Sequence, residues 1–358
     1  MNREAFHHAR AVIADAVARR VFPCAVAEVG HASGALWRHA AGRLTYDSGA
    51  SVASEDTIFD LASLTKVIAT ATLALIQYQR QQLGLEEPLH RHLAGWKGRE
   101  REAVTVRDLL EHCSGLPAHQ PYYQMLAGRP AFESAICAEP LAYSPRTQSL
   151  YSDPGFILLG FALENSGGNS MDAQFQDWRG AVSIEGPLTF NPPREWDARI
   201  APTEVDSWRG RLLIGEVHDE NAAALGGVAA HAGLFGTAAS SGACARWWLS
   251  RLLGRNDAAT GVKGADAVLF AQRSTVPASS RALAWDTMLP TSSCGTRMSP
   301  RAIGHTGFTG TSLWIDPERD LYFVLLSNRL HPTRDNDLIQ PVRRAFHDAV
   351  AQDLQEQS

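Results

Sequence analysis

Apolar residues at Ala9, Val12, Ile13 and Val17 recur at helical spacing and predict an N-terminal helix docked on a core by one face. Cys24 to Gly30 and Ala35 to Ala41 are β-prone segments joined by His31-Ala-Ser-Gly34, which predicts a hairpin. From Ser63 to about Gln82 apolar residues cover most of a helical circumference, so this helix is expected to be central and buried. Shorter helices are predicted over Val106 to His112, stopped by Ser114-Gly-Leu-Pro117, and over Phe156 to Glu164, closed by Ser166-Gly-Gly168. Ser312 to Asp316 and Leu321 to Asn328 flank the turn Asp316-Pro-Glu-Arg-Asp320 as a second hairpin, and a helix follows from about Leu338 to Leu354. Strands at both ends with helices between them predict an α/β (α+β) chain. Its sheet domain would be discontinuous, from residues 1–60 and 229–358, with a mostly helical domain over 61–228. Residues 180–227 show no sustained periodicity and are read as an insertion with short elements of its own.

Composition narrows the partners. The net charge of -5 is modest for 358 residues and no run of like charges occurs, so the electrostatic footprint of a nucleic-acid or anionic-membrane binder is missing. The longest apolar stretches, Val67 to Ile76 and Leu321 to Leu326, fall short of the roughly 20 residues of a membrane span. With no apolar leader at the start, a cytoplasmic protein is expected. Cysteines 24, 113, 137, 244 and 294 are odd in number and lack a C-x-x-C pair, which predicts free thiols. The expected partner is a small molecule, with no obligate protein partner, cofactor or metal.

One bias has chemical meaning. The chain contains 30 arginines and three lysines, at positions 66, 97 and 263. Lys66 closes Ser63-Leu-Thr-Lys66, the only S-x-x-K in the sequence, and on a helix this spacing puts both side chains on one face. A serine hydroxyl becomes a nucleophile when a base takes its proton; a lysine can do so if its surroundings lower its pKa, whereas arginine stays protonated. A helix start also favours the negative charge that develops during acyl transfer. Alone, the tetrapeptide fits a capping serine and a surface lysine equally well.

Two more elements follow in order. Tyr151-Ser-Asp153 is the only tyrosine followed two positions later by Asp or Asn, and Gly304-His-Thr-Gly307 immediately precedes the second hairpin. The ordered set resembles the S-x-x-K, Y-x-N and K-T-G or H-T-G motifs of the class C β-lactamase and penicillin-binding-protein superfamily, which includes DD-peptidases, D-aminopeptidases and esterases. The flanks Phe59-Asp-Leu-Ala-Ser63, Val106-Arg-Asp-Leu-Leu-Glu-His-Cys-Ser-Gly-Leu-Pro117, Gly233-Leu-Phe-Gly-Thr-Ala238 and Gly304 to Pro317 extend the likeness from about residue 22 to residue 345.

The resemblance implies a β-lactamase/transpeptidase-like fold, an antiparallel sheet with N- and C-terminal helices beside a helical domain. It makes Ser63 the acylated nucleophile, with Lys66 and Tyr151 sharing the general-base and leaving-group-acid work. Tyr151 would need its pKa lowered by the charge of Lys66. The backbone N–H groups of Ser63 and Phe308 match the family's oxyanion hole. Thr306, Gly307, His305 and Asp153 fall at substrate-binding positions. Asp153 replaces the usual asparagine by an acceptor, and His305 stands where β-lactamases mostly have lysine, so a grip on a substrate carboxylate is expected to depend on pH. The stretches Thr203 to Arg211 and Val217 to Ala222 resemble a subgroup with members fused to β-N-acetylhexosaminidases, which hints at cell-wall fragments. His218, Asp219 and His231 are candidates for the pocket lining, and His7-His8 and His90-Arg-His92 are read as solvated.

The chain has no H-E-x-x-H, no Cys/His ligand spacing, no G-x-S-x-G and no Gly-rich G-K-[ST] loop. The expected activity is cleavage of an ester or amide through an acyl-enzyme, carboxylesterase-type first. A DD- or D-amino-acid peptidase and a β-lactamase are the next readings, and a non-catalytic penicillin-binding-like protein is the alternative from another class.

Overall fold

A computed structural model describes residues 6–357. Its main sheet has strands β1 (Cys24–His31), β2 (Gly34–Gly42), β3 (Asp286–Thr287), β4 (Ile303–Thr306), β5 (Ser312–Asp316) and β6 (Leu321–Ser327). They run antiparallel in the order β2-β1-β6-β5-β4-β3. Both predicted hairpins are present, and β6 pairs with β1 from Ala25 opposite Ser327 to Gly30 opposite Tyr322, which joins the two chain ends in one sheet.

Period-2 alternation decides what each face buries. Ala25, Ala27 and Val29 of β1 join Phe323 and Leu325 of β6 in a core under helices α1 (His7–Ala18) and α5 (Ile339–Glu356). Cys24, Val26, Val324 and Leu326 point the other way, into a larger core shared with the central helix and with α4 (Ala238–Leu252). Covered on both faces, β6 is buried along its whole length. Glu28 lies fully buried in this sheet, held by the Tyr322 hydroxyl at 2.6 Å, Arg246 at 3.3 Å and Arg38. A Cβ on Gly242 of α4 would stand 1.9 Å from Glu28 Oε1, so glycine is what lets this carboxylate fit.

The terminal helices are clasped where solvated histidines were expected. The buried Asp353 carboxylate accepts the N–H groups of His8 (3.1 Å) and Ala9 (2.9 Å) and the His8 Nδ1–H (2.9 Å). Only His7 of the pair is largely exposed. His92, in the other segment read as solvated, instead pairs with Glu87 at 2.9 Å.

The central helix α2 begins after Ser63, passes through a π-helical turn, Lys66–Thr70, and continues as Ala71–Gln79. Every residue from Lys66 to Gln77 is buried, as the apolar circumference predicts. Helix α3 (Asp153–Gly167) packs against it and ends in Gly168 at φ 70, a left-handed C-cap. The irregular 180–227 segment contributes a strand, Leu188–Phe190, to a small sheet with Phe59–Asp60 and Leu234–Gly236, then a short hairpin and the helix Glu220–Ala224. All five cysteines are buried free thiols, and no described helix is long and apolar enough to cross a membrane.

Candidate active site

Ser63 is delivered by a turn that three parts of the chain hold rigid. The buried Asp60 carboxylate accepts the N–H groups of Ala62 (2.8 Å) and His218 (2.7 Å), while the hydroxyls of Thr309 and Thr311 bind the carbonyls of Asp60 (2.8 Å) and Leu61 (3.0 Å). Ala62 sits at φ 47, a left-handed conformation that costs about 1–2 kcal/mol for a residue with a Cβ. Such strain persists where surrounding contacts over-determine it. The sequence gives no sign of it, because alanine is not a left-handed marker. At Gly307 a Cβ would meet Thr311 Oγ1 at 2.1 Å and Leu61 O at 2.6 Å, so only glycine lets the segment after β4 lie against this turn. Among the described residues, no group accepts a hydrogen bond from the backbone N–H of Ser63 or of Phe308. Both N–H groups remain available to an oxyanion.

The three motifs converge. Lys66 Nζ is 3.1 Å from Ser63 Oγ, and Tyr151 donates its hydroxyl to the same oxygen at 2.8 Å. Lys66 is fully buried and its remaining donors meet Asp153 Oδ1 at 2.8 Å and the His231 carbonyl at 3.0 Å. Burial alone would push the Lys66 pKa down, but the Asp153 carboxylate and Tyr151 outweigh it and the net shift is upward. The expectation of a lysine whose pKa is lowered by its surroundings is therefore corrected: the Asp153 carboxylate 2.8 Å away favours the ammonium. Tyr151 is corrected likewise. Burial pushes its phenol up, Lys66, 4.7 Å from the ring centre, pulls it down, Asp153 pushes it up again, and the balance is raised.

Ser152 caps α3, accepting the Gly155 N–H at 3.1 Å. Behind Tyr151 stands His112, which was not singled out. Its Nδ1 accepts the Ser152 N–H at 2.9 Å, and its ring lies 4.6 Å from those of Tyr151 and Phe156. Burial, then the charges of Arg281 and Lys66, holds it neutral. The sequence signal was its place in the family-like His-Cys-Ser-Gly-Leu-Pro stretch.

Two cavities open on Ser63. One, of about 260 Å³, is lined by Tyr151, Arg281, His305, Thr306, Phe308 and Arg343 among others. His305 is buried with Nδ1 on the Thr306 carbonyl at 2.8 Å, and burial followed by Arg281 and Lys66 drives its pKa well below the ordinary value. The expected pH-dependent charge on His305 is thereby corrected: it is neutral at working pH. Positive charge here comes instead from arginines that were not predicted. The Arg281 guanidinium lies 5.2 Å over the Tyr151 ring with no hydrogen bond or ion pair among the described residues, and the buried Arg343 Nε is also unsatisfied. Arginine is so common in this chain that composition could not single these out.

The second cavity, about 370 Å³, is lined by His119, Tyr123, Asp153, His218, Asp219, Phe308 and Arg334, again with Ser63 and Tyr151. His218 and Asp219 thus reach the site, though His218 is tied to Glu204 at 2.7 Å. His231 lies beneath the lining, its carbonyl on Lys66 and its Nε2 on Asp219 at 2.8 Å. The described cluster with metal-ligand proximity, His7, His8, Asp353 and Glu356, is the helix clasp and not part of either cavity.

The fold and sequence have relatives. A protein of Escherichia coli strain K12 named "Putative D-alanyl-D-alanine carboxypeptidase" is 31% identical over 317 residues, covering 78% of this chain and 70% of its own. One of the same name from Salmonella gallinarum is 28% identical over 328 residues, covering 81% and 73%. Among solved structures, a penicillin-binding protein homologue from Caulobacter crescentus superposes with a TM-score of 0.77 at 16% identity over 97% of both chains. Unliganded simvastatin synthase (LovD) from Aspergillus terreus does so at 0.74 and 20% identity, covering 97% of this chain and 98% of its own. EstCE1, a hydrolase with promiscuous acyltransferase activity, gives 0.74 at 18% identity over 96% and 97%. With the convergence of Ser63, Lys66 and Tyr151 goes a match of residues 9–346 to the Beta-lactamase family model, and the chain belongs to that family of active-site-serine hydrolases.

Proposed function

We propose that the protein cleaves an ester or amide through an acyl-enzyme on Ser63, and that its leaving group carries a carboxylate. The observation behind the second part is the unpartnered Arg281 guanidinium in the cavity beside Ser63. A partly buried guanidinium without a protein acceptor favours an anionic ligand group, and carboxylate matches its planar fork. Short-chain ester hydrolysis is the least demanding expression of this chemistry. A peptide with a free C-terminal carboxylate would set that group on Arg281, which agrees with the name of the E. coli relative.

In this mechanism the Lys66–Tyr151 pair first gives up one proton, after which it takes the Ser63 hydroxyl proton as Oγ attacks the carbonyl carbon. The oxyanion is received by the N–H groups of Ser63 and Phe308. Collapse breaks the bond to the leaving group, which leaves with the proton held by the pair. Water then repeats the sequence on the acyl-serine and restores the hydroxyl. The five buried free thiols support a reducing, cytoplasmic setting.

The test compares Arg281→Ala with wild type on two esters of one acyl group, one with a carboxylate on its leaving group and one without. Loss of about tenfold or more in kcat/KM on the first alone supports the assignment. Equal effects on both contradict it.

A further inference from the structure

The two cavities that meet at Ser63 differ in sign. In the leaving-group cavity Arg281, Arg329 and Arg343 face one carboxylate, Asp286. In the other, Asp153, Asp219 and Glu220 line the wall, against Arg334 at the rim and Lys66 beneath. Glu220 is taken by Arg334 at 2.8 Å. Asp153 and Asp219 are held through one oxygen each. Lys66 reaches Asp153 Oδ1, and both His231 Nε2 and the Ala222 N–H reach Asp219 Oδ1. The Oδ2 atoms of both have no hydrogen-bond partner among the described residues, and their side chains keep 19% and 25% exposure in the same cavity. Asp219 stays ionised: burial opposes its charge, but His231 overrides it and holds its carboxyl well below the usual range.

We infer that this second cavity is an ammonium-binding subsite, so that the preferred acyl group carries a free amine close to the scissile carbonyl, held between Asp153 and Asp219. The inference rests on the acyl-serine reading and adds the acyl half of the substrate. The two Oδ2 atoms are partly exposed to the cavity and have no protein donor, and an ammonium supplies three donors and the compensating charge to them. Tyr123 and Phe308 flank the same space. Opposite charge on the two sides of one nucleophile fits a short peptide with both termini free, its amine on the acyl side and its carboxylate on the leaving side. At about 370 Å³ the cavity is at the small end of ligand pockets, in keeping with an acyl group of one or two residues.

Three thioesters with the same mercaptoacetate leaving group separate the claims: glycyl, N-acetylglycyl and butyryl. The wild-type protein near neutral pH is expected to favour glycyl over N-acetylglycyl by about tenfold or more in kcat/KM. Asp219→Asn is expected to collapse that ratio toward one. A wild-type ratio near or below one, with butyryl thioester hydrolysed, overturns the ammonium subsite while leaving the acyl-serine chemistry standing. A folded Asp219→Asn protein with an unchanged ratio also overturns it. No hydrolysis of any of the three overturns the acyl-serine reading and this inference together.

Discussion

Asp153 Oδ1 stands 2.8 Å from Lys66 Nζ, and this ion pair sets where the protons of the site rest. With the carboxylate in contact and the amine fully buried, an ammonium is the state whose charge and donors are all answered. The base needed for acylation is then formed only after a proton leaves the Lys66–Tyr151 pair, whose members both have raised pKa values. As the two share contacts, they titrate as a pair.

The first prediction concerns pH. A proton-release step with a raised pKa makes kcat/KM for a stable ester climb from neutral into alkaline pH. Asp153→Asn removes the negative charge that raises both groups, so the rising limb should move toward neutral pH by about one to three units. Rate profiles of both proteins read this directly, and an unmoved limb contradicts the role given to Asp153. The amide can also donate to a substrate carbonyl where the carboxylate cannot, so relative turnover of cephalosporins and peptides over simple esters should rise in the same variant.

Lys66→Arg keeps the charge but cannot release a proton. Loss of about two to four powers of ten in kcat is expected if the pair must supply a base. Near-normal acylation measured by stopped flow would instead make Lys66 a fixed charge.

His112→Ala takes away the acceptor of the Ser152 N–H and the ring packed against Tyr151. As a positioning residue, His112 should affect kcat more than KM. Unfolding stability should fall by about 1–3 kcal/mol, read from denaturant midpoints. A loss confined to KM would contradict the positioning role.

How much of this was legible in the sequence depends on the kind of signal. Strands and helices with strong periodicity, such as the Cys24 hairpin and the all-round apolar helix after Ser63, appear as expected because burial itself imposes the pattern. Ser63, Lys66 and Tyr151 were readable because their order and spacing are specific, and they meet within 3.1 Å. The charge state of Lys66 was not readable, since it depends on a contact 87 positions away that only folding makes. Nor was Arg281, hidden by an arginine-rich composition, while His112 lay within the family-like stretch but its contacts with Ser152 and Tyr151 form only on folding. The His8 clasp on Asp353 joins residues 345 positions apart, beyond any local pattern.

Packing gives a prediction independent of catalysis. Gly242→Ala would place a methyl group 1.9 Å from the Glu28 carboxylate that Tyr322, Arg246 and Arg38 hold in the sheet. Overpacking of this kind costs about 1–3 kcal/mol, here measurable as a lowered denaturant midpoint with the slope unchanged. A midpoint equal to wild type would show that Glu28 can shift freely.

The central claim is that Ser63 is the acylated atom. Intact-mass analysis with peptide mapping, after brief exposure to a fluorophosphonate and to a penicillin, tests it most directly. One covalent adduct per chain is expected with the fluorophosphonate, located on Ser63, and an accumulating or transient adduct at the same residue with the penicillin. Ser63→Ala should remain folded, take up neither reagent and lose ester hydrolysis. An adduct mapped to another residue, or a Ser63→Ala protein that is free of contaminating esterases and still turns over the ester at a rate comparable to wild type, would contradict it.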